Sequence, residues 1–387
     1  KFSKYRKKNG ILLLSTVGGF IPQFELHNVR LLREKGYRVF YGADFTNPMY
    51  TGHERELAEL GVKQVQLPIK KSPFALKAHR AALREQEDIS CVHCHTPVGG
   101  FLGRMLGSHF GRKLKVIYTV HGFHFYKGAP IQNWLFYPVE AFLARYTDAM
   151  ITVNSEDYEC AGRFRLRRGG RVYQIPGVGI RMDRLDPDTG DAGIVWRKEH
   201  GIPEGAFHLV TAGELNRNKN HRIILKAIKL LREKGGQEAD LYCSIAGRGP
   251  GEEELRRQIW ESGLSKRIQL VGYQDRIASI LRSADGFLFP SRREGLGMAA
   301  LEAMAAGLPV IAADNRGTRE YMRDGVNGYV FHWNDAGGLA TAIEKLRKDP
   351  GKRDAMGRAA RETAGRFTKE RSAEVMRQVY ADTLGWN

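Results

Sequence analysis

The alternation of short apolar runs with helical patterns constrains this chain more than any other feature. Five such runs lie in the first half, at residues 11–14, 38–41, 89–92, 116–119 and 150–153. Between the first two, residues 23–35 place apolar side chains at helical spacing, and Gly36 supplies a C-terminal stop. This order predicts an α/β fold with a Rossmann-like, doubly wound parallel sheet.

The second half repeats the alternation. Its candidate strands are residues 208–210, 241–245, 268–271, 286–289 and 309–312, with helices such as 222–231 between them. A chain of 387 residues also exceeds what one hydrophobic core usually supports. We therefore predict two Rossmann-like domains facing a cleft, at 1–183 and 184–368, with the join in the turn-rich stretch 181–191. The mixed pattern of the final helix leaves open which half it packs on.

Cysteine usage and hydropathy indicate the compartment. Four cysteines over this length do not form a disulfide framework, which favours a reducing environment. No apolar run approaches 18 residues, and no signal-peptide pattern is found. We expect a soluble cytoplasmic protein.

The positive charge is concentrated in the first half. The net charge is +18; residues 1–183 hold 28 Lys/Arg against 15 Asp/Glu, and the remainder holds 33 against 28. Basic clusters lie at residues 4–8, at 74–84, and at Arg163, Arg165, Arg167, Arg168 and Arg171. Such clusters suit anionic lipid, nucleic acid or an acidic substrate, and a solvated basic face is an equal alternative.

Three glycine-containing turns, 15–19, 212–220 and 246–251, each follow a candidate strand and precede a helix. Glycine lets the backbone approach a ligand, and helix N-termini favour negative charge. In the second turn, Arg217 and Lys219 are cations that would stabilise a diphosphate leaving group. The first turn lacks the full Gly-x-Gly-x-x-Gly spacing, so plain structural turns remain an alternative.

Histidines and cysteines at 91–95 raise the question of a metal. Strand alternation sends Cys91, His93 and His95 to one face and Cys94 to the other, and no second Cys/His pair completes a zinc site. We therefore predict no metal there. The Asp-x-Asp at 186–188 lies in the predicted linker and is interpreted as a turn.

His121 is a stronger candidate. It ends a predicted strand directly before Gly122, which places its imidazole at the carboxyl edge of the sheet. A buried core histidine is the usual alternative, but this edge position favours a ligand contact.

Glu294 and Glu302 flank the junction between the strand at 286–289 and an Ala-rich helix, with seven residues between them. On a continuous helix they would be about 12 Å apart along the axis, too far for one acid/base dyad. They can instead hold two ends of an elongated polar ligand. Backbone N–H groups of Gly295, Leu296 and Gly297 would bind a phosphate between them. The ligand so described is a nucleotide sugar.

With these residues the chain resembles the retaining glycosyltransferases of family 4, which have the two-domain GT-B fold. The Glu-x7-Glu motif at 294–302 is the most specific match, followed by Ala303 to Val310. Further matches are Lys219 with Gly213, the Gly247/Gly249 loop, Val271 and residues 176–180. The stretches 95–100 and 121–125 resemble the subgroup that builds bacterial capsule and exopolysaccharide.

The resemblance implies roles for individual residues. Glu294 would contact donor-sugar hydroxyls, Glu302 the ribose, and Lys219 the diphosphate, with His121 near the donor sugar and acceptor. Many members carry Arg where this chain has Glu214, so we nominate Arg217 as the second phosphate cation. The other expected donor contacts are Gly18, Gly19, Gly213, Gly247, Gly249, Val271, Gly295, Leu296 and Gly297. Acceptor contacts are assigned to His95, His124, Arg163 and Arg165.

The resemblance also implies a C-terminal helix, about 369–387, that crosses back to the acceptor-binding N-terminal domain, and a chemistry without a metal or other cofactor. The expected donor is a UDP-sugar, with GDP- and ADP-sugars as alternatives. The expected acceptor is a glycan or a polyprenyl-diphosphate-linked sugar, with an anionic membrane surface as a further partner and no nucleic acid. Rival functions are a GT-B epimerase or phosphorylase, which share the fold, and a nucleic-acid-binding protein, which leaves the glycine turns and glutamates without a purpose.

Overall fold

The computed structural model describes residues 10–46, 54–68, 73–86, 88–185, 190–234, 240–274 and 277–386. The chain divides into two compact units, residues 1–179 with 369–387 (the N-terminal unit) and residues 180–368 (the C-terminal unit). The division lies at 179/180, beside the predicted boundary at 183/184. The basic cluster at 4–8 and the Asp-x-Asp at 186–188 lie outside the described residues.

The described residues of the N-terminal unit form a seven-stranded parallel sheet in the order β3-β2-β1-β4-β5-β6-β7. Its strands are β1 Gly10–Val17, β2 Arg38–Asp44, β3 Lys63–Gln66, β4 Ile89–His95, β5 Lys115–Val120, β6 Ala149–Thr152 and β7 Arg171–Gln174. Ile11 to Leu14 are buried, as expected for a parallel strand covered on both faces.

The helices of this unit are α1 Phe20–Phe24, α2 Leu26–Glu34, α3 Glu54–Glu59, α4 Pro73–Glu85, α5 Pro97–Phe110, α6 Phe136–Ala144, α7 Ser155–Ala161 and α15 Lys369–Leu384. A short 3₁₀ helix, Ile131–Leu135, leads directly into α6. The prediction of one helix over 23–35 is wrong, because the chain leaves helical geometry at Glu25, with φ −122° and ψ 9°. The Glu25 side chain is buried there, a tertiary placement that apolar periodicity does not report.

The final helix, α15, packs on the N-terminal unit. Tyr380 Oη lies 2.8 Å from His93 Nδ1, and Ser372 Oγ donates a 2.8 Å hydrogen bond to the Gly177 carbonyl. The buried side chains of Met376 and Val379 add apolar contact. The last turns of the chain thus complete the core of a sheet whose first strand begins at residue 10.

The described residues of the C-terminal unit form a six-stranded parallel sheet in the order β10-β9-β8-β11-β12-β13. Its strands are β8 Phe207–Ala212, β9 Leu241–Ala246, β10 Ile268–Gly272, β11 Gly286–Phe289, β12 Val310–Ala313 and β13 Gly328–Phe331. Its helices are α8 Ala192–Glu199, α9 Arg222–Glu233, α10 Glu252–Glu261, α11 Ile277–Arg282, α12 Met298–Ala305, α13 Ala336–Lys348 and α14 Pro350–Ala364. The apolar stripe of α9 at Ile224, Ile228 and Leu231 packs into the core of this unit.

All ten predicted strands are confirmed, and the predictions missed β3, β7 and β13. These three strands each lie at an edge of their sheet. β3 and β7 consist mainly of polar, partly exposed residues, so they lack the apolar run that identifies a central strand.

The strand order reverses between β1 and β4 in one sheet and between β8 and β11 in the other. In open α/β sheets, ligands bind outside the carboxyl ends of the strands at such switch points. The loops after these four strands are therefore the places to look for function.

Candidate active site

At the switch point of the C-terminal unit, the loops after β8 and β11 meet in an ion pair. Lys219 Nζ lies 2.6 Å from Glu294 Oε1, and both side chains are mostly buried. The loop backbones are joined as well, since the Arg292 N–H donates to the Asn218 carbonyl over 2.9 Å, and Asn218 Nδ2 donates to the Arg293 carbonyl over 2.9 Å. The two residues that the sequence separated by 75 positions thus form one charged site.

Glycines without side chains allow the loops next to this pair to pack closely against each other. A Cβ at Gly247 would lie 1.9 Å from the Gly213 carbonyl oxygen, and Gly247 has φ +141°. A Cβ at Gly249 would lie 2.7 Å from the backbone of Leu215. The Gly213 N–H donates to Ala246 O over 3.0 Å. These predicted ligand-contacting glycines are therefore also required for loops to stack on each other.

Glu294 and Glu302 do not share a helix, which corrects the helical spacing assumed for them. α12 begins at Met298, and the preceding Gly297 has a left-handed φ of 96°, so Glu294 lies in the turn before the helix. Glu302 lies within α12, about one turn from its start. The predicted phosphate-binding residues Gly295, Leu296 and Gly297 form the turn between them.

Three further residues considered as donor contacts, Glu214, Arg217 and Val271, lie in loops or strands of the same unit. Arg217 is exposed on the same loop as Lys219, and Glu214 Oε2 accepts a 2.8 Å hydrogen bond from Asn216. Val271 is half-buried in β10, where its carbonyl accepts from Gln274 Nε2 over 2.6 Å. The role of Arg217 in binding phosphate stays a prediction.

Two residues that the sequence predictions missed support the Glu294 turn from the end of β12. Buried Asn315 donates to Ser291 O over 3.0 Å and accepts from the Gly317 N–H over 3.0 Å. Arg316, also buried, donates from Nε to the Glu294 carbonyl over 3.3 Å. Polar residues directly after a buried strand were the available signal, because that is where ligand loops start in such a sheet.

A third supporting residue is Tyr321, which is fully buried below the turn. Its Oη lies 3.4 Å from the Gly297 carbonyl oxygen. Burial, and secondly the nearby Glu294 carboxylate, raise the pKa of Tyr321 well above its usual range. Tyr321 therefore stays a neutral hydrogen-bond donor at the start of α12.

The N-terminal unit gathers a different cluster at the carboxyl ends of β4 and β5. His95 Nδ1 lies 3.3 Å from His121 Nε2 and 3.6 Å from Glu25 Oε1. Glu25 comes from the break between α1 and α2, and its other carboxyl oxygen accepts from Asn28 Nδ2. Glu25 is a further residue that sequence reasoning missed, since it lay inside a predicted continuous helix.

Burial makes this cluster neutral at pH 7. Loss of hydration raises the pKa of Glu25 to about 8 and lowers that of His121 to about 4. It also lowers the pKa of His95 well below its ordinary value, helped by His93 and His121. A protonated carboxyl group and two neutral imidazoles are the result.

The hydrogen-bond partners of His95 and His121 indicate which ring nitrogen of each carries the proton. His95 Nε2 is buried and has no hydrogen-bond partner among the described residues. An unpaired acceptor is less costly than an unpaired N–H, so we expect the His95 proton on Nδ1, donated to His121 Nε2. His121 would then carry its own proton on Nδ1. This arrangement sets the tautomer of the predicted ligand-contacting histidine.

The same three residues are the described group whose donor atoms could hold a metal ion. Two imidazoles and a carboxylate match the protein ligands of many catalytic zinc sites. An ion would first have to displace the proton of Glu25, because ligands bind metals deprotonated. By contrast, Cys91 and Cys94 are buried, and His93 is satisfied by Tyr380 and Thr119. Metal independence stays a prediction.

The predicted glycine turn after β1 lies beside this cluster in sequence and fold. A Cβ at Gly18 would lie 2.6 Å from the Phe45 ring, and Gly19 is the residue before α1. Thr16 hydrogen-bonds Thr96, which has an unusual positive φ of 64°. A strained non-glycine residue at the end of a central strand is typical of a functional site.

The predicted acceptor residues are only partly brought together. His95 is fully buried in the cluster with His121, whereas the His124 ring packs on Phe136, with 4.9 Å between ring centroids. Arg163 and Arg165 are exposed on either side of Phe164, after α7. His95 therefore contacts His121 rather than solvent, and all four residues stay predicted acceptor contacts.

Comparison with known proteins identifies the family. Residues 24–176 match the family described as Glycosyl transferase 4-like domain, and residues 194–363 match Glycosyl transferases group 1. A Bacillus subtilis (strain 168) protein named as the glycosyltransferase EpsD is 37% identical over 378 residues, covering 96% of each chain. The chain belongs to glycosyltransferase family 4.

A second relative of this glycosyltransferase is a UDP-Gal:alpha-D-GlcNAc-diphosphoundecaprenol alpha-1,3-galactosyltransferase from Escherichia coli. It is 27% identical over 283 residues, which cover 73% of this chain and 72% of the relative.

Solved structures confirm the predicted GT-B fold. HepE of Anabaena in complex with UDP and glucose matches with a TM-score of 0.77 at 19% identity, covering 97% of this chain and 99% of HepE. WaaG, a glycosyltransferase involved in lipopolysaccharide biosynthesis, matches with a TM-score of 0.71 at 17% identity, covering 96% and 98% of the two chains.

Proposed function

We propose that this glycosyltransferase moves a hexosyl or N-acetylhexosaminyl group from a UDP-sugar to a glycan or polyprenyl-diphosphate-linked acceptor, with retention of configuration. The product would belong to a bacterial surface polysaccharide, either exopolysaccharide or capsule. The observation that carries the proposal is the Lys219–Glu294 pair at the β8/β11 switch point. The E. coli relative, named for a UDP-sugar and a diphosphoundecaprenol acceptor, supports both substrate classes.

The C-terminal unit is proposed to bind the nucleotide sugar. Lys219 and Arg217 would neutralise the diphosphate, Glu294 would accept hydrogen bonds from sugar hydroxyls, and Glu302 would bind the ribose. The Lys219–Glu294 pair already holds both side chains in place, so little reorganisation is needed when the donor binds. Arg316 would keep the Glu294 backbone fixed while its carboxylate contacts the sugar.

The reaction would proceed through departure of the diphosphate while the acceptor hydroxyl attacks the same face of the sugar. The bond from the anomeric carbon to the phosphate oxygen breaks, the new glycosidic bond forms, and the hydroxyl proton passes to a diphosphate oxygen. Charge develops on the leaving phosphate, so cations there lower the barrier directly. No metal is required in this scheme, and neutral His121 would offer a hydrogen bond to the donor sugar.

The proposed class of acceptor is inferred from the distribution of charge. The first 183 residues carry most of the excess of Lys and Arg, which suits a diphosphate-linked acceptor and an anionic membrane surface. We accordingly place the enzyme at the membrane periphery during turnover.

Donor binding tests the proposal first. Titration calorimetry would compare UDP-, GDP- and ADP-sugars on the wild type, on Glu302→Ala, and on Glu233→Ala as a control for loss of an exposed carboxylate. We expect one nucleotide sugar to bind, Glu302→Ala to weaken it by roughly 10-fold or more, and the control to match the wild type. Equal binding by all three proteins removes the ribose role, and no binding of any donor removes the proposed function.

Stereochemistry is tested separately. The anomeric proton coupling of the product, measured by NMR, should match that of the donor. An inverted product would contradict same-face attack even if the donor is correct.

A further inference from the structure

Large apolar side chains lie exposed on one short segment of the N-terminal unit. Ile131 is 89% exposed, Leu135 73% and Phe142 50%. Trp134 and Val139, each 44% exposed, lie between them. These five residues, which we call the apolar face, cover the 3₁₀ helix and α6 within twelve positions. Isolated exposed apolar residues are ordinary, but a contiguous set marks an interaction surface.

The outward direction of the apolar face is set by the packing of the opposite side. Glu140 on α6 pairs with buried Arg104, with 2.6 Å between Oε2 and Nη1. Leu143 and Ala144 are buried, and the Tyr137 ring contacts Phe164. The segment therefore packs on the N-terminal unit through Glu140, Leu143 and Ala144, and the five residues of the apolar face are left exposed to solvent.

Four exposed cations lie in the segments next to the apolar face. Lys127 and Arg145 are exposed before and after it, and Arg163 and Arg165 flank the Phe164 that contacts α6. Between Lys127 and Asp148 the sequence holds a single acidic residue, Glu140, whose carboxylate is engaged by Arg104. Exposed apolar and aromatic side chains with Lys and Arg in the adjacent segments match the interfacial region of an anionic bilayer.

We propose that the apolar face inserts into the headgroup region of an anionic lipid membrane. It spans twelve residues, roughly 16 Å from first to last as a helix, which suits a segment lying in the plane of the interface. Among the described helices, none combines the length and the apolar character needed to cross a bilayer. The inference deepens the proposed function, since a polyprenyl-linked acceptor lies in such a membrane, yet it can be tested without turnover.

A second copy of the chain is the competing occupant. A symmetric contact through this face would bring two sets of the same cations together without added carboxylates, which is unfavourable. Charge complementarity therefore favours phospholipid.

Vesicle cosedimentation of the full chain tests the proposal. The lipids are phosphatidylcholine alone, or with about one-third phosphatidylglycerol. We expect binding to the anionic vesicles only. A triple variant, Leu135→Ser, Val139→Ser and Phe142→Ser, should bind roughly 10-fold or more weakly. The matched control is Ile194→Ser, Val195→Ser and Trp260→Ser, which removes three exposed apolar residues of the C-terminal unit and should bind like the wild type.

Three results would overturn the proposal: no wild-type binding to anionic vesicles, equal binding by the triple variant, or a concentration-dependent dimer that the triple variant abolishes. Because these measurements need no substrate, donor binding in calorimetry can succeed while vesicle binding fails, which separates this inference from the proposed function.

Insertion depth provides a second test that needs no serine variant. Brominated lipids quench nearby tryptophans, and Trp134→Phe should keep vesicle binding while losing most of the quenching. Unchanged quenching in Trp134→Phe would place the contact elsewhere and reject this face.

Discussion

The two sheets use the same switch-point geometry to build opposite electrostatic environments. In the C-terminal unit, Lys219 and Glu294 form a charged pair that solvent still reaches, with 23% and 13% of the side chains exposed. In the N-terminal unit, Glu25 and His95 are almost completely buried, and burial holds them neutral together with His121. The carboxyl edge of the C-terminal sheet can stabilise developing charge. The carboxyl edge of the N-terminal sheet can offer hydrogen bonds of defined direction.

The difference follows from what surrounds each edge. Lys219 and Glu294 form an ion pair in which each group has an oppositely charged partner. The Glu25 carboxyl group has Asn28 and His95 as neighbours, and desolvation by burial outweighs the hydrogen bond from Asn28 in setting its pKa. A ligand diphosphate needs the first environment, while a sugar hydroxyl can be oriented by the second.

The largest expected effect is the loss of activity when the cation of the Lys219–Glu294 pair is removed. Lys219→Ala is expected to lower kcat roughly 100- to 1,000-fold, because a group that stabilises the leaving diphosphate is lost. Steady-state assays with the donor identified by calorimetry would measure it.

Lys226→Ala, an exposed lysine on α9, is the control and should leave kcat within about 2-fold of the wild type. A Lys219→Ala enzyme that is folded and retains wild-type kcat would refute the leaving-group role.

The next largest effect should be on stability, where glycine substitutions in the C-terminal and N-terminal units should differ. Gly247→Ala places a Cβ against the Gly213 carbonyl at a positive φ, and we expect it to destabilise the protein by roughly 3 kcal/mol or more. Gly18→Ala meets only the side chain of Phe45, which can move, so its cost should be smaller. Thermal unfolding of both variants would measure the difference.

Gly337→Ala in α13, whose Cβ has its nearest neighbour at 3.4 Å, controls for the added methyl group and should change stability by less than about 1 kcal/mol. If Gly18→Ala proves the more damaging of the two edge variants, the rigid stacking assigned to the C-terminal loops is wrong.

The neutral cluster of Glu25, His95 and His121 should make the free energy of unfolding depend on pH. The folded protein keeps the Glu25 proton up to a pKa of about 8, whereas the unfolded chain loses it near 4.5. This residue therefore costs stability progressively as pH rises from 4.5 to 8. Glu25→Gln removes that cost, so its free energy of unfolding relative to wild type should increase by about 2 kcal/mol or more between pH 5 and pH 8.5.

Glu34→Gln, at the exposed end of α2, is the matched control for loss of a carboxylate. A Glu25→Gln difference that is the same at both pH values would show that Glu25 is ionised in the folded state, and the description of a neutral cluster would fail.

The smallest expected effect is that of a chelator. If Glu25, His95 and His121 act as hydrogen-bonding groups, EDTA should leave kcat unchanged and added Zn²⁺ should not raise it. Loss of activity in EDTA, restored by Zn²⁺ in the wild type but not in Glu25→Gln, would instead assign the cluster to a metal.

Much of the fold was predictable because central parallel strands are continuous apolar runs. Ten strands were located from such runs; His121 directly follows β5, and Lys219 and Glu294 lie in the loops after β8 and β11. The edge strands β3 and β7 were missed for the converse reason, since they have little apolar character of their own.

The sites were less predictable than the fold. Helical spacing misplaced Glu294, because Gly297 stops the helix from extending back to it. Glu25 carried no local signal, and its significance depends on His95, 70 positions away. Arg316 and Asn315 stood at a suitable strand end, but their hydrogen bonds to the Glu294 turn depend on side-chain placement.

The two-sheet architecture, the family and the residue types at the strand ends could all be read from periodicity and motif spacing, which are properties of the chain. Which of those residues meet, and which are neutral, became clear from the folded structure. Contacts across 70 or more positions depend on strand order, and protonation depends on burial; neither is encoded in local pattern. The apolar face shows the same limit, since Leu135, Val139 and Phe142 look like core residues until packing leaves them exposed.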